Sequence, residues 1–187
     1  TINTHTMFRI KAMTMLRAIK ASYGRTVQYA QLATNATAGI PFDMWFPTSP
    51  NIKPQKCDQF SIGYFRNFLN DEIETSVELF YKNIHNVIDF ADNATLIGNL
   101  YIDGEVRAGK GYAYGAELLL RKNFGDFSGW ISYTYSKSMR KVPGINYDRE
   151  YVSPYDKPHN ISIVLNYAFN KRFDVSASWI YNTGQPV

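Results

Sequence analysis

Apolar and polar positions alternate with period two over most of this chain, the pattern of strands apolar on one face. Ile161, Ile163, Leu165, Tyr167 and Phe169 share one face, opposed by Ser162, Val164, Asn166 and Ala168. Phe173, Val175, Ala177, Trp179 and Tyr181 then oppose Asp174, Ser176, Ser178 and Ile180, and the three residues between the runs read as a tight hairpin. Upstream, Ile73, Thr75, Val77, Leu79 and Tyr81 oppose Glu74, Ser76, Glu78, Phe80 and Lys82. Tyr112, Tyr114, Ala116, Leu118 and Leu120 oppose Ala113, Gly115, Glu117, Leu119 and Arg121, and Phe127, Ile131, Tyr133 and Tyr135 oppose Ser128, Ser132 and Thr134. Ile19, Ala21, Tyr23, Val27 and Tyr29 form a weaker face, interrupted by Arg25. The pattern predicts strands over 7–12, 17–29, 56–66, 73–88, 110–122, 127–138, 159–169 and 173–182. Met7–Ile19 has no clear helix cap and intersperses Thr and Ile, so no helix is predicted.

The connections carry more information than the strands. Short links (13–16, 67–72, 123–126, 170–172) alternate with long ones (30–55, 89–109, 139–158). A compact soluble domain rarely holds three structureless loops of about 20 residues. Bacterial outer-membrane barrels have short periplasmic turns at one end and long outer loops at the other. A membrane-crossing strand needs ~9–11 tilted residues, and several predicted strands exceed that. The expected fold is all-β, an antiparallel transmembrane β-barrel.

Composition sharpens this picture. The 187 residues include 14 Tyr and 12 Phe, types that favour strands, and Tyr also favours a membrane–water boundary. Phe127, Phe169 and Phe173 flank short turns, and Tyr81, Tyr112, Tyr133, Tyr135 and Tyr181 lie towards the long loops. Two interfacial girdles are the expectation. The competing explanation is aromatic packing in a soluble β-sandwich, against which the loop alternation weighs. Nothing approaches the ~18 consecutive apolar residues of a membrane helix, a test that barrels escape because only one strand face is apolar. Glu74, Glu78, Lys82, Glu117, Arg121 and Asp174 lie off the apolar face and are expected to line a lumen or meet a plug.

The formal charge of +4 serves solubility or attraction to anionic headgroups, and no basic run or helix points to nucleic acid. Cys57 is the single cysteine, so no internal disulfide forms. Thr1–Ile10 lacks the basic start and apolar core of a signal peptide, so the chain is expected to begin inside a longer protein.

Several stretches resemble the C-terminal half of TonB-dependent receptors of Bacteroidetes-type bacteria. They are Ala21–Tyr29 (ASYGRTVQY), Pro41–Gln55 (PFDMWFPTSPNIKPQ), Phe60–Tyr64 (FSIGY), Val77–Asn83 (VELFYKN), Gly111–Lys122 (GYAYGAELLLRK), Gly129–Ser138 (GWISYTYSKS), Asp156–Ile163 (DKPHNISI) and Tyr181–Val187 (YNTGQPV). They run in family order over almost the whole chain. The resemblance implies a barrel of about 22 strands around an N-terminal plug, taking up a scarce nutrient (metal chelate, vitamin, glycan or peptide) with energy supplied through TonB acting on the plug. Implied partners are outer-membrane lipid and lipopolysaccharide, the rest of the barrel and plug, TonB, and a surface lipoprotein in some systems; the implied location is the cell outer membrane. Residues 1–187 depart from the family pattern in having about eight strands and no plug, so they are expected to form part of the wall. The alternative is a complete small barrel with a structural or adhesion role. Small residues at Gly63, Gly115, Ser162, Ser176 and Ser178 would underfill a closed eight-stranded lumen, which favours the larger curve.

No catalytic constellation stands out, and no cofactor or metal is expected. His5, His85 and His159 lack metal-ligand spacing, and His159 reads as structural at a strand start. Asp89, Asp92, Asp103 and Glu105 match no EF-hand and read as a solvated loop. The glycosylation-type triplets beginning at Asn35 and Asn93 are discounted in a bacterial protein. Ligand contact is expected from the long loops: Trp45, Phe46, Tyr101, Tyr147, Tyr151 and Tyr155 as aromatic surfaces, with Asp43, Arg149 and Glu150 as polar partners. Pro41, Pro47, Pro50 and Pro54 stiffen the first loop.

Overall fold

A computed structural model describes residues 4–14, 17–34, 43–92, 94, 99, 101–184 and 186. The candidate positions Asn35, Pro41 and Asn93 lie outside them. Its strands are β1 (Thr4–Thr14), β2 (Arg17–Gln28), β3 (Ala30–Thr34), β4 (Asp43–Pro47), β5 (Gln55–Phe68), β6 (Ile73–Phe90), β7 (Val106–Lys122), β8 (Phe127–Lys141), β9 (Tyr151–Val152), β10 (His159–Asn170) and β11 (Phe173–Asn182). All eight predicted strands are present. The two central pairs run further towards the long loops than the alternation indicates, because β6 continues to Phe90 through a bulge at Asn86 (φ 58°). A bulge adds one residue and interrupts the period on which a sequence reading depends.

The strands form one antiparallel path in the order β1-β2-β5-β6-β7-β8-β10-β11, with β9 pairing β8. Among the described residues no pairing joins β1 to β11. The register is continuous enough to reveal a pitch. One row links Arg17, Arg66, Thr75, Leu120, Ile131, Ile163 and Trp179. Arg17 opens β2 at its short-turn end. Arg66 already lies two residues before Phe68, Ile131 four after Phe127, and Trp179 six after Phe173. The stagger is therefore about one residue per strand. With a rise near 3.3 Å and a strand spacing near 4.8 Å, this corresponds to a tilt of about 35°, within the range of closed barrels.

One face of the sheet is apolar across its width. Ile62 meets Leu79, Val77 meets Leu118, Leu120 meets Ile131, and Ile131 meets Ile163. Among the described residues nothing covers this face at its centre: Ile62, Leu79 and Trp179 are each 53% exposed. Arg25, the residue that interrupts the face in β2, stands opposite Asp58. Its Nε and Nη2 donate to the two carboxylate oxygens at 2.6 and 2.8 Å, and the Tyr23 hydroxyl donates to the same group at 2.7 Å. The interruption is thus a bidentate pair at the long-loop end of the band.

The opposite face carries the charges of mid-band, Glu78 and Glu117 among them. Glu74 pairs with Arg121 across β6–β7 at 3.7 Å. Gly63 and Gly115 do not leave this face empty, contrary to the underfilled reading. A Cβ on Gly63 would lie 2.8 Å from the Phe65 ring, and one on Gly115 2.6 Å from the Phe80 ring. Each ring lies over a glycine of its own or the neighbouring strand, covering backbone that a side chain would otherwise cover.

Candidate functional site

The described residues of the long connections are folded. Ala30–Thr34 (β3) and Asp43–Pro47 (β4) pair antiparallel, with Gln31 opposite Phe46 and Leu32 opposite Trp45. Ala33, Phe46, Ile52, Ile88 and Phe90 form a buried cluster, with Met44, Ala94, Ile102 and Val106 packed against it. Phe46 and Phe90 meet edge to face, 5.9 Å between ring centres. The Asn86 side chain donates to the Pro54 carbonyl (2.9 Å), and Gln31 donates to that of Lys53 (3.0 Å). The bulge thus ties the first loop to the projecting end of β6. The described parts of the three long links, expected from spacing to be structureless, carry paired strands and a packed cluster that form a cap. Its cluster joins residues far apart in sequence, which period-two alternation does not report.

A charged network lies beneath the cap. Arg140 donates to Asp89 Oδ2 at 3.2 Å, and the Tyr151 hydroxyl donates to the same oxygen at 2.9 Å. Asp89 is buried, so this carboxylate belongs to a packed junction of β6, β8 and β9 and not to a solvated loop. Burial first, then the Asp89 charge, raises the Tyr151 phenol well above its ordinary value. Further along, Asp156 is buried; it accepts from the Ser138 amide at 2.7 Å and from Lys137 at 3.2 Å. His159 opens β10, its Nδ1 2.9 Å from the Tyr133 hydroxyl.

Above the buried Val142 and Ile145 the chain makes an unusual turn. Asn146, Tyr147 and Asp148 have φ of 51°, 55° and 59°. Asn and Asp tolerate the left-handed region, whereas Tyr does so at a cost. The turn is held by the Gly144 amide donating to Asp148 (2.7 Å) and the Asn146 amide donating to Asp92 (2.9 Å). It leaves Tyr147 91% exposed.

The loop residues predicted for ligand contact therefore divide. Trp45, Tyr101, Tyr147 and Tyr155 are exposed, as are Arg149 and Glu150. Glu150 accepts from the Tyr112 hydroxyl at 3.0 Å. Asp43 opens β4. Tyr151 is half-buried and fixed to Asp89. Phe46 is corrected: at 3% exposure its ring fills the cap core, so it offers no surface to a ligand. Sequence reasoning missed Asp89, Arg140 and Asp156. The signal for Asp156 lay in the DKPHN stretch; Asp89 and Arg140 gave none, since their partners are 51 residues apart.

The aromatic positions also resolve once the tilt is included. Phe60 lies eight residues before Phe68, Tyr81 eight after Ile73 and Tyr114 eight before Lys122. Tyr135 lies eight after Phe127, and Tyr181 eight after Phe173. Five strands thus place an aromatic at one level on the apolar face. Tyr112 lies two residues beyond that level and Tyr133 two inside it. At the short-turn end, Phe127 pairs Tyr167, while Phe169 contacts the rings of Tyr167 and Phe173 at 4.6 and 5.4 Å.

The family profile described as "TonB dependent receptor-like, beta-barrel" matches residues 14–186. The chain belongs to that family. No curated protein and no solved structure matches it. The match covers seven complete strands of the path and most of the cap, so both the apolar face and the folded loops belong to the TonB-dependent receptor barrel.

Proposed function

We propose that this chain is part of the wall of a TonB-dependent transporter in the cell outer membrane, contributing strands and outer loops to uptake of a scarce nutrient. The carrying observation is the aromatic level at Phe60, Tyr81, Tyr114, Tyr135 and Tyr181. Eight tilted residues separate it from the short-turn ends, which corresponds to an apolar band of about 22 Å. Outer-membrane barrels carry a band of about 25 Å between aromatic girdles. On this reading Phe127, Phe169 and Phe173 form the periplasmic girdle, the apolar face meets lipid, and the charged face lines the lumen and meets the plug. The plug, and through it TonB, supply energy coupling; a surface lipoprotein is a candidate partner. The chain has no catalytic role.

The exposed cap aromatics Trp45, Tyr101, Tyr147 and Tyr155, with Arg149 and Glu150, support capture of a metal chelate, vitamin, glycan or peptide. Stacking surfaces suit all four classes. Among the described residues β1 and β11 do not pair with each other, which favours a larger barrel over a closed eight-stranded one. The test is attachment of a fluorophore at Tyr81→Cys and at Val77→Cys in the complete barrel reconstituted in bilayers containing brominated lipids. Strong quenching at Val77 and weaker quenching at Tyr81 is expected. Equal, water-like emission at both overturns the membrane placement. Loss of energy-dependent uptake on deletion of the gene tests transport.

A further inference from the structure

On the lumen face the register sets one aromatic residue among uncharged polar ones. Trp130 in β8 pairs Arg121 on one side and Val164 on the other. The row towards the long loops pairs Ser132 with Ser162, and the row towards the short turns pairs Ser128 with Asn166. Ser178 stands beyond Val164, on β11. Successive rows on one face are two residues apart, about 7 Å, so the five polar side chains lie within reach of one solute about 10 Å long resting on Trp130. Trp130 is three residues beyond Phe127, which with the tilt is about 8 Å above the short-turn end.

These groups are uncommitted. Among the described residues the Trp130 indole N–H has no protein acceptor, and the side chains of Ser128, Ser132, Ser162, Asn166 and Ser178 make no hydrogen bond to protein. The other half of the lumen face differs. There the Ser22 and Ser61 hydroxyls bond to each other at 2.6 Å. Its rings are covered: Lys20 Nζ lies 3.8 Å from the centre of the Phe65 ring, and Lys82 Nζ 5.4 Å from that of Phe80. Trp130 meets neither a cation nor another ring among the described residues. The charge in its row, the Arg121 guanidinium, is paired with Glu74 at 3.7 Å.

We infer that Trp130 is a lumenal station for the imported solute, and that this solute is a neutral glycan. This rests on the transporter reading above and narrows its four solute classes to one. A sugar ring offers a face of C–H groups, which settles on the electron-rich face of an indole. Its hydroxyls both donate and accept, as Ser and Asn side chains do, so hydrogen bonds exchange without a fixed partner as the solute moves. A charged chelate or peptide would leave water and meet no free countercharge here. The station lies near the short-turn end, past the cap on the way in. It therefore acts on passage and not on capture.

The test is uptake of radiolabelled neutral oligosaccharides, uronic-acid oligosaccharides, ferric chelates, cobalamin and tripeptides by cells carrying the complete transporter and by cells lacking its gene. Gene-dependent uptake of a neutral oligosaccharide, and of none of the others, is expected. W130A should lower its maximal rate about tenfold, the effect of one lost ring contact, with the half-saturating concentration and the amount of transporter in the outer membrane unchanged. W130Y should keep most of the rate. If W130A does not assemble, Ser162→Cys replaces it. Modification of that cysteine by a bulky maleimide during uptake should stop transport, while modification of Ser76→Cys, on the other half of the face, should not. An unchanged rate in W130A, or equal block at the two cysteines, overturns the station. Energy-independent entry of a large antibiotic through W130A would mean that the plug seats on Trp130, and also overturns it. Gene-dependent uptake of another class alone overturns the glycan and leaves the transporter reading standing. Dependence for none of the classes overturns that reading as well.

Discussion

Glu78 and Glu117 stand directly opposite each other across β6 and β7 on the charged face. Like charges directly opposite in a sheet are destabilising, and neither carboxylate has an ion-pair partner among the described residues. Glu117→Gln is expected to stabilise the isolated chain by a few tenths of a kcal/mol, read as a higher urea midpoint after refolding in detergent. In the complete barrel a cation from the plug meeting this pair reverses the sign, so comparing the two midpoints tests for such a partner.

Leu118 and Glu117 are neighbours on opposite faces. Val77 and Leu118 pair four residues from the short-turn ends of their strands, at mid-band. Leu118→Arg is expected to cost about 2–4 kcal/mol in bilayers, the cost of a basic residue facing lipid near the midplane. Glu117→Arg should cost far less. Folding titrations in vesicles measure both, and equal costs would contradict the assignment of faces.

Phe46→Ala removes the ring that packs on Phe90 in the cap core. A loss of about 3 kcal/mol is expected, from transfer and cavity terms together. It should appear as faster proteolysis within residues 30–54, with the protection of β7 and β8 unchanged.

Removing Arg140 leaves the buried Asp89 without its cation. Breaking a buried pair by deleting one partner costs about 3–5 kcal/mol. Arg140→Ala should therefore open the β6–β8–β9 junction, seen as faster amide exchange at Tyr151–Ser153 while the mid-strand amides stay protected. Asp89→Asn together with Arg140→Ala should recover part of the loss.

Alkaline pH should act at the same junction. The Tyr151 phenol is raised in the folded state by burial and by Asp89. Its contribution to stability is fully present below the unfolded value near 10.0 and is lost as pH rises above it towards the higher folded value. The unfolded chain releases this proton first. Cap protection should fall above pH 10.0 and Tyr151→Phe should flatten that dependence, as followed by amide exchange against pH.

The strands were legible because a sheet in contact with two different media writes its orientation into alternate residues. The runs at 73–82, 112–121 and 161–181 needed no tertiary information. Arg25 looked like a defect because its compensation by Asp58 lies on another strand. The cap was illegible for a related reason: Ala33, Phe46, Ile52, Ile88 and Phe90 sit on short or bulged segments and come together only after β2, β5 and β6 align. The level of the aromatics was half legible. Sequence placed Tyr133 and Tyr135 towards the same end, while the stagger set Tyr135 with Tyr81 and Tyr133 deeper.

That stagger fixes more than levels. A sheet tilted by about 35° closes into a cylinder whose width is set by strand number alone. At eight strands the backbone circle would be roughly 15 Å across, room for little beyond side chains. At about 22 it would be roughly 40 Å, an open bore through which periplasmic solutes would leak unless something stoppered it. The slope of one register row, from Arg17 to Trp179, thus links the shape of this wall to the need for a gate.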